Sequence, residues 1–268
     1  MAPTGTTAVT TIRARLHSPD RDHTGNRDQI GTLIYRMFSM DDLSNLHLRR
    51  KRMLGHTAFR NNQWVTTSAI HIVKVLKNNV KICAGVIVSP YYILTPEKCV
   101  SQPGARYKVK SGAPRMSFIE THIVYDILEN EELSLLFIHP PISVTSPSLN
   151  RQVELTEAAL SRRMHTSIMA WDHIGERRPI APVPIVNMIT CGEQYLYHGH
   201  PITEDNVCTF QLCGRNRCSN EDVGSPLIVD DILFGVLLWA GSDFGPRVPD
   251  VFIRVNGNRY YNWLKQNV

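Results

Sequence analysis

No apolar run in this chain is long enough to serve as a signal peptide or to cross a membrane. The best N-terminal stretch, Ile30 to Phe38, is interrupted by Arg36. No pair of cysteines has the C-x-x-C spacing of a zinc site, so a metal is the weakest explanation of the cysteines, and no cofactor is expected. There is no N-x-S/T glycosylation acceptor, no internal repeat and no low-complexity tract. The main body also lacks charge of one sign. Residues 1–52 carry nine Arg/Lys against five Asp, and the rest carry 20 cations against 19 anions. Nucleic acid and membrane are therefore not expected as partners.

What remains is enough for a folded domain. At 43% hydrophobic content the 268 residues can bury a core. Six cysteines, with Cys213 close to Cys218, favour disulfides and an oxidising compartment. That conflicts with the missing signal peptide, and we expect a secreted protein whose natural start lies elsewhere. Residues 1–52 are rich in Thr, Arg, Asp and Ser without periodicity, which predicts a flexible basic leader ending in Arg49-Arg50-Lys51-Arg52.

From Trp64 onward, short β-branched and aromatic runs alternate with Pro, Gly, Asn and Ser. They include 69–75, 86–88, 92–94, 134–138, 227–229 and 232–239, and they argue an all-β barrel or sandwich. Near the end, Tyr260, Trp263 and Leu264 stand at i, i+3 and i+4, predicting one short amphipathic helix docked by Trp263. Pattern alone stops at an all-β domain.

Seven segments resemble, in order, the motifs of the trypsin-like serine protease family over residues 53–268. Cys83 to Pro90 resembles C-G-G-x-L-I-S-P, and Tyr92 to Val100 resembles W-V-L-T-A-A-H-C-V. Glu131 to Ile138 resembles N-D-I-A-L-L-K-L, and Met169-Ala170-Trp171 sits like G-W-G. Glu221 to Pro226 resembles G-D-S-G-G-P. Val236 to Gly241 and Pro249 to Val255 resemble I-V-S-W-G and P-G-V-Y-T-R-V. The resemblance implies two packed antiparallel six-stranded barrels with a cleft between them. It further implies disulfides Cys83–Cys99 and Cys191–Cys208. Cys213 and Cys218 depart from the family pattern, and we expect them to bridge each other.

The same resemblance puts Lys98 at the histidine position, Glu132 at the aspartate position and Val223 at the nucleophile position. A valine offers no hydroxyl, and a lysine with an ordinary pKa of about 10.4 is protonated at neutral pH and accepts no proton. Active members of the family are a worked template for the triad; here two of its three roles are chemically vacant. Glu221 stands where the family has the glycine of the oxyanion hole. Asn216 and Arg217 occupy the specificity-pocket position in place of an acid. Leu238 replaces the serine before Trp239, so no lysine- or arginine-directed binding is expected. Ser225 is the nearest hydroxyl and could form a dyad with Lys98, although the loop aims residue 223 into the cleft. His71 and His139 are expected as strand or loop residues rather than bases.

Asp222 is retained. In active relatives this aspartate pairs with the amine freed by cleavage after a basic residue. Arg52-Met53 is the matching cut here, followed by Leu54-Gly55-His56. The reading that best unites these residues is a secreted non-catalytic protease homologue. It would bind a protein such as an active serine protease or its substrate, as cofactor, decoy or regulator. Two alternatives are a rearranged endopeptidase using Ser225 and Lys98, and a structural component tethered by its leader.

Overall fold

The computed structural model describes residues 70–113, 118–144, 150–162, 164, 166–171, 177–180, 183–211 and 222–268. The expected leader 1–52, the Arg52-Met53 cut, Glu221, Asn216, Arg217, Cys213 and Cys218 lie outside them.

Six strands close into a barrel in the order β1-β2-β3-β6-β5-β4. They are β1 (Ile72–Lys77), β2 (Val80–Ile87), β3 (Tyr92–Pro96), β4 (Tyr107–Ala113), β5 (Phe118–Asn130) and β6 (Leu133–His139). All their pairings are antiparallel. The β1–β2 hairpin turns through Asn78 and Asn79 at φ 52° and 65°. Asparagine tolerates that left-handed region, and such turns match the twist of paired strands.

A second sheet follows. It contains β7 (Glu154–Leu155), β8 (Ser167–Trp171), β9 (Arg177–Ile180), β10 (Asn206–Thr209), β11 (Pro226–Val229), β12 (Ile232–Trp239) and β13 (Asp250–Arg254). Six of these run in the order β10-β13-β12-β11-β8-β9, and β7 adds to β12 in parallel. Two helices complete the described chain, α1 (Met188–Leu196) and α2 (Asn258–Asn267). Asn187 caps α1 by accepting the Ile189 N–H at 3.0 Å. Sequence periodicity did not reveal α1, whose nine residues bury only Cys191 and Tyr195. The terminal helix is where the sequence put it. It docks chiefly by fully buried Tyr260 and Leu264, with Trp263 only half-buried.

Alternation along the strands creates three apolar layers. Val73, Val75, Ile93, Val109, Leu136 and Ile138 fill the closed barrel. Ile168, Val207, Leu227, Leu237 and Phe252 fill the second sheet's inner side. The largest cluster joins the two: Ile72, Val86 and Leu135 from the barrel meet Val236, Leu238, Ile253, Tyr260 and Leu264. β3 and β12 approach each other along this junction.

Candidate functional site

Lys98 lies on a single 3-10 turn, Glu97–Cys99, that leaves the end of β3. The turn is pinned from both sides. The Glu97 N–H donates to the Glu132 carbonyl at 2.8 Å, and Cys99 is bonded to Cys83 on β2. Lys98 Nζ then crosses the junction and donates to the Leu238 carbonyl at 2.5 Å. The residue as a whole stays exposed, but its ammonium head is turned inward. Desolvation of that head lowers the Lys98 pKa, opposed by the carboxylates of Asp243 and Glu132.

Glu132 sits in the β5–β6 turn, half-buried. Burial is the largest influence on it and raises its pKa. The Arg259 charge lowers it, Asp205 and Glu131 push it up again, and Lys98 pulls it down last. Arg259 bridges Asp205 and Glu131 at 2.6 Å each. Lys98 and Glu132 are within electrostatic reach of each other. The amine is committed elsewhere, to a backbone carbonyl.

Val223 does not face open solvent; it is 6% exposed and belongs to the apolar cluster that fills the closed barrel, with Val100 and the Cys83–Cys99 disulfide. Its backbone is held as well. The Ala84 N–H donates to the Val223 carbonyl at 2.7 Å, and the Gly224 N–H donates to the Leu237 carbonyl at 2.8 Å. Gly224 is required here: at φ +94° a Cβ would stand 2.0 Å from the Ala84 carbonyl oxygen. The loop is therefore clamped between β2 and β12 with a valine turned into the packing.

Ser225 is fully buried, and its Oγ has no hydrogen-bond partner among the described residues. Its backbone is used instead, donating to the Asp222 carbonyl and accepting from Leu237 N–H. No hydrogen bond joins Ser225 to Lys98 among the described residues.

Asp222, the neighbour of Val223, is 1% exposed, and its carboxylate takes Lys81 Nζ at 3.3 Å. Lys81 lies on β2, so the ion pair ties the nucleophile-position loop to the barrel. Sequence comparison did not single out Lys81. Its only sequence signal is its place two residues before Cys83.

Leu238 buries its side chain in the inter-sheet cluster and exports its carbonyl to Lys98. Trp239 is walled in by rings that sequence reading also missed. The Tyr195 ring stacks on it at 5.7 Å and 28°, and His200 lies 4.7 Å from it. Phe244 touches both Tyr195 and His200, at 5.0 and 5.3 Å. The Tyr195 hydroxyl donates to the Pro249 carbonyl at 2.7 Å, and burial drives its pKa well above the ordinary tyrosine range. An open depression of about 610 Å³ lies beside the Arg259–Asp205 ion pair whose charges act on Glu132. It is lined by Glu204, Asp205, Arg254, Gly257, Asn258 and Arg259 and contains none of Lys98, Glu132 or Val223.

Of the histidines considered as bases, His71 is buried, with Nδ1 2.8 Å from the Arg151 carbonyl and Nε2 2.9 Å from Asp231. His139 is exposed on β6, edge-on to Tyr125 at 6.0 Å. The two described disulfides, Cys83–Cys99 and Cys191–Cys208, are those the resemblance implied.

A family model described as Trypsin matches residues 55–264. The chain is similar to trypsin eta of Drosophila erecta, 24% identical over 69% of this chain and 78% of that protein. It is also similar to a trypsin of Simulium vittatum, 27% identical over 63% of this chain and 75% of that protein. A third relative is kallikrein 1-related peptidase b27 of Mus musculus, 23% identical over 73% and 84%. Among solved structures, mouse neuropsin, described as a serine protease expressed in the limbic system of the brain, superposes with a TM-score of 0.61. It is 19% identical and covers 75% of this chain and 95% of its own. Kallikrein-related peptidase 10 gives 0.59 at 18% identity, covering 75% and 95%.

Proposed function

Since this chain belongs to the trypsin family, we propose that it is a non-catalytic member acting by protein binding, as cofactor, decoy or regulator of active proteases. One observation carries the reading. The residue at the nucleophile position, Val223, is packed into the barrel cluster, while the amine at the base position, Lys98, is spent on the Leu238 carbonyl. The family's nucleophilic catalysis needs a hydroxyl beside a group free to take its proton. Neither condition is supported at these positions.

The rearranged endopeptidase, with Ser225 attacking and Lys98 as base, is disfavoured by the complete burial of Ser225 and by the bond Lys98 already makes. Treating the full chain with a fluorophosphonate probe separates the two. No labelling is expected, and labelling at Ser225 would overturn the non-catalytic reading. Co-purification with a protease through residues 53–268 supports the cofactor role, whereas attachment through residues 1–52 supports a tethered structural component.

We further propose an extracellular protein, a reading supported by two disulfides and a trypsin domain. No helix among the described residues is long and apolar enough to cross a membrane. Its presence in conditioned medium, with a mobility shift on reduction, would support this; retention in the cytosol with free thiols would refute it. Cleavage after Arg52 would offer Asp222 the amine of Met53 in place of Lys81. N-terminal sequencing of native material that finds no chain beginning at Met53 sinks that part.

A further inference from the structure

The outer face of the closed barrel carries two neighbouring lines of side chains with different chemistry. On β4, Tyr107, Val109 and Ser111 are buried, so Lys108 and Lys110 point outward. Exposed Arg106 precedes the strand in the same alternation. On the paired strand β5, His122 points inward, and its neighbours Thr121 and Ile123 point out. The register sets Lys108 opposite Ile123 and Lys110 opposite Thr121, and side chains directly opposite share a face. Apart from Thr121, the exposed groups on β5 are apolar and unusually open: Ile119 is 54% exposed, Ile123 49% and, at the bulge between Val124 and Asp126, Tyr125 63%. A row of cations therefore runs beside a row of exposed aliphatic and aromatic groups.

The cations are not spent. Neither Lys108 nor Lys110 forms an ion pair among the described residues, and the Lys108 ammonium donates only to the Asn79 side-chain oxygen, at 3.0 Å. Exposed apolar side chains grouped on one strand mark interaction surfaces more often than isolated ones do. Basic residues alone would suit any polyanion. The adjoining apolar line selects a polypeptide, because sulfate or phosphate groups gain nothing from Ile123 and Tyr125.

We infer that this β4–β5 face docks an acidic segment of a partner protein whose carboxylates meet Arg106, Lys108 and Lys110 while its apolar side chains cover Ile119, Ile123 and Tyr125. The surface gives a location to the binding role proposed above, and its biological use rests on that reading. It is built on β4 and β5, whereas Lys98 follows β3 and Val223 packs inside the barrel.

The test uses the full chain and a fluorescein-labelled peptide of about a dozen residues, enough to run along one strand, that alternates Glu with Leu or Phe. Fluorescence anisotropy reads its binding against a control alternating Glu with Ser. Preference for the apolar peptide is expected, with binding weakened at least about tenfold in Lys108→Glu/Lys110→Glu. A comparable loss, about tenfold, is expected in Ile123→Ser/Tyr125→Ser. Near-UV circular dichroism of both variants checks that the fold persists. The inference is overturned if the two peptides bind equally, or if heparin binds wild type and the serine variant alike, which would make this a sulfated-polysaccharide site. Concentration-dependent self-association lost in both variants would overturn it in favour of a second copy. Fluorophosphonate labelling would sink the non-catalytic reading and leave this surface standing; loss of the peptide preference would do the reverse.

Discussion

Replacing Val223 by serine restores the family's atom at the nucleophile position, and the packing argues that it will cost stability without gaining chemistry. The valine lies in the same buried cluster as the Cys83–Cys99 disulfide. Exchanging its two methyls for a hydroxyl removes about 1.5 kcal/mol of apolar burial, at roughly 0.8 kcal/mol per group. A buried hydroxyl without a partner adds about 1–3 kcal/mol. The expected loss is about 2.5–4.5 kcal/mol, or a fall in Tm of about 5–18 °C for a domain of this size. Val223→Ala supplies the comparison, since it removes the methyls without burying a polar atom. Urea unfolding of all three proteins should therefore rank wild type above alanine and alanine above serine. Val223→Ser should also stay unlabelled by fluorophosphonate, because Lys98 is bound to the Leu238 carbonyl and is not a free base. A serine variant as stable as wild type would mean that residue 223 faces the cleft rather than the barrel. Labelling of that serine would refute the assignment of Lys98.

The remaining predictions concern charge and crosslinks. The raised pKa of Glu132 means that the native state holds its proton more tightly than the unfolded chain. Stability should then fall as pH rises from the ordinary glutamate value, about 4.3, through the raised one. Glu132→Gln should flatten that fall, and parallel Tm profiles for the two proteins would refute it. Lys98 has the opposite linkage: with its folded pKa lowered, its contribution improves as pH rises through that value toward about 10.4. Lys98→Met should remove this alkaline gain in the same measurement. Lys81→Met takes a cation from buried Asp222 and should cost about 1–3 kcal/mol in urea unfolding, with Lys81→Arg recovering most of it. Cys191→Ser/Cys208→Ser opens the crosslink between α1 and β10 and should cost about 3 kcal/mol, read as a Tm drop against wild type in non-reducing buffer, with the Cys83–Cys99 disulfide intact in both.

Much of the fold was legible because its signals are local. The run 232–239 is β12 residue for residue, and the Tyr260/Leu264 spacing marked α2. Disulfide partners were legible through motif order. The β4–β5 hairpin was not, because outward Lys108, Lys110 and Thr121 and half-buried Glu120 dilute any apolar run. Helix α1 escaped for a similar reason: Ile189 and Leu196 are exposed, so its apolar residues do not trace a buried face.

The sequence by itself determined which atoms are available at the family's catalytic positions, since side-chain identity is covalent: an isopropyl group at 223, an amine at 98, a carboxyl at 132. It also determined the near-neutral balance of the body. Only the tertiary structure decided what those groups do, because burial and pairing join residues far apart in the chain. It turned Val223 into the barrel packing, gave the Lys98 amine to a carbonyl 140 positions away, and set Lys81 against Asp222. By the pleat of two strands it also lined up on one face cations that the net charge conceals.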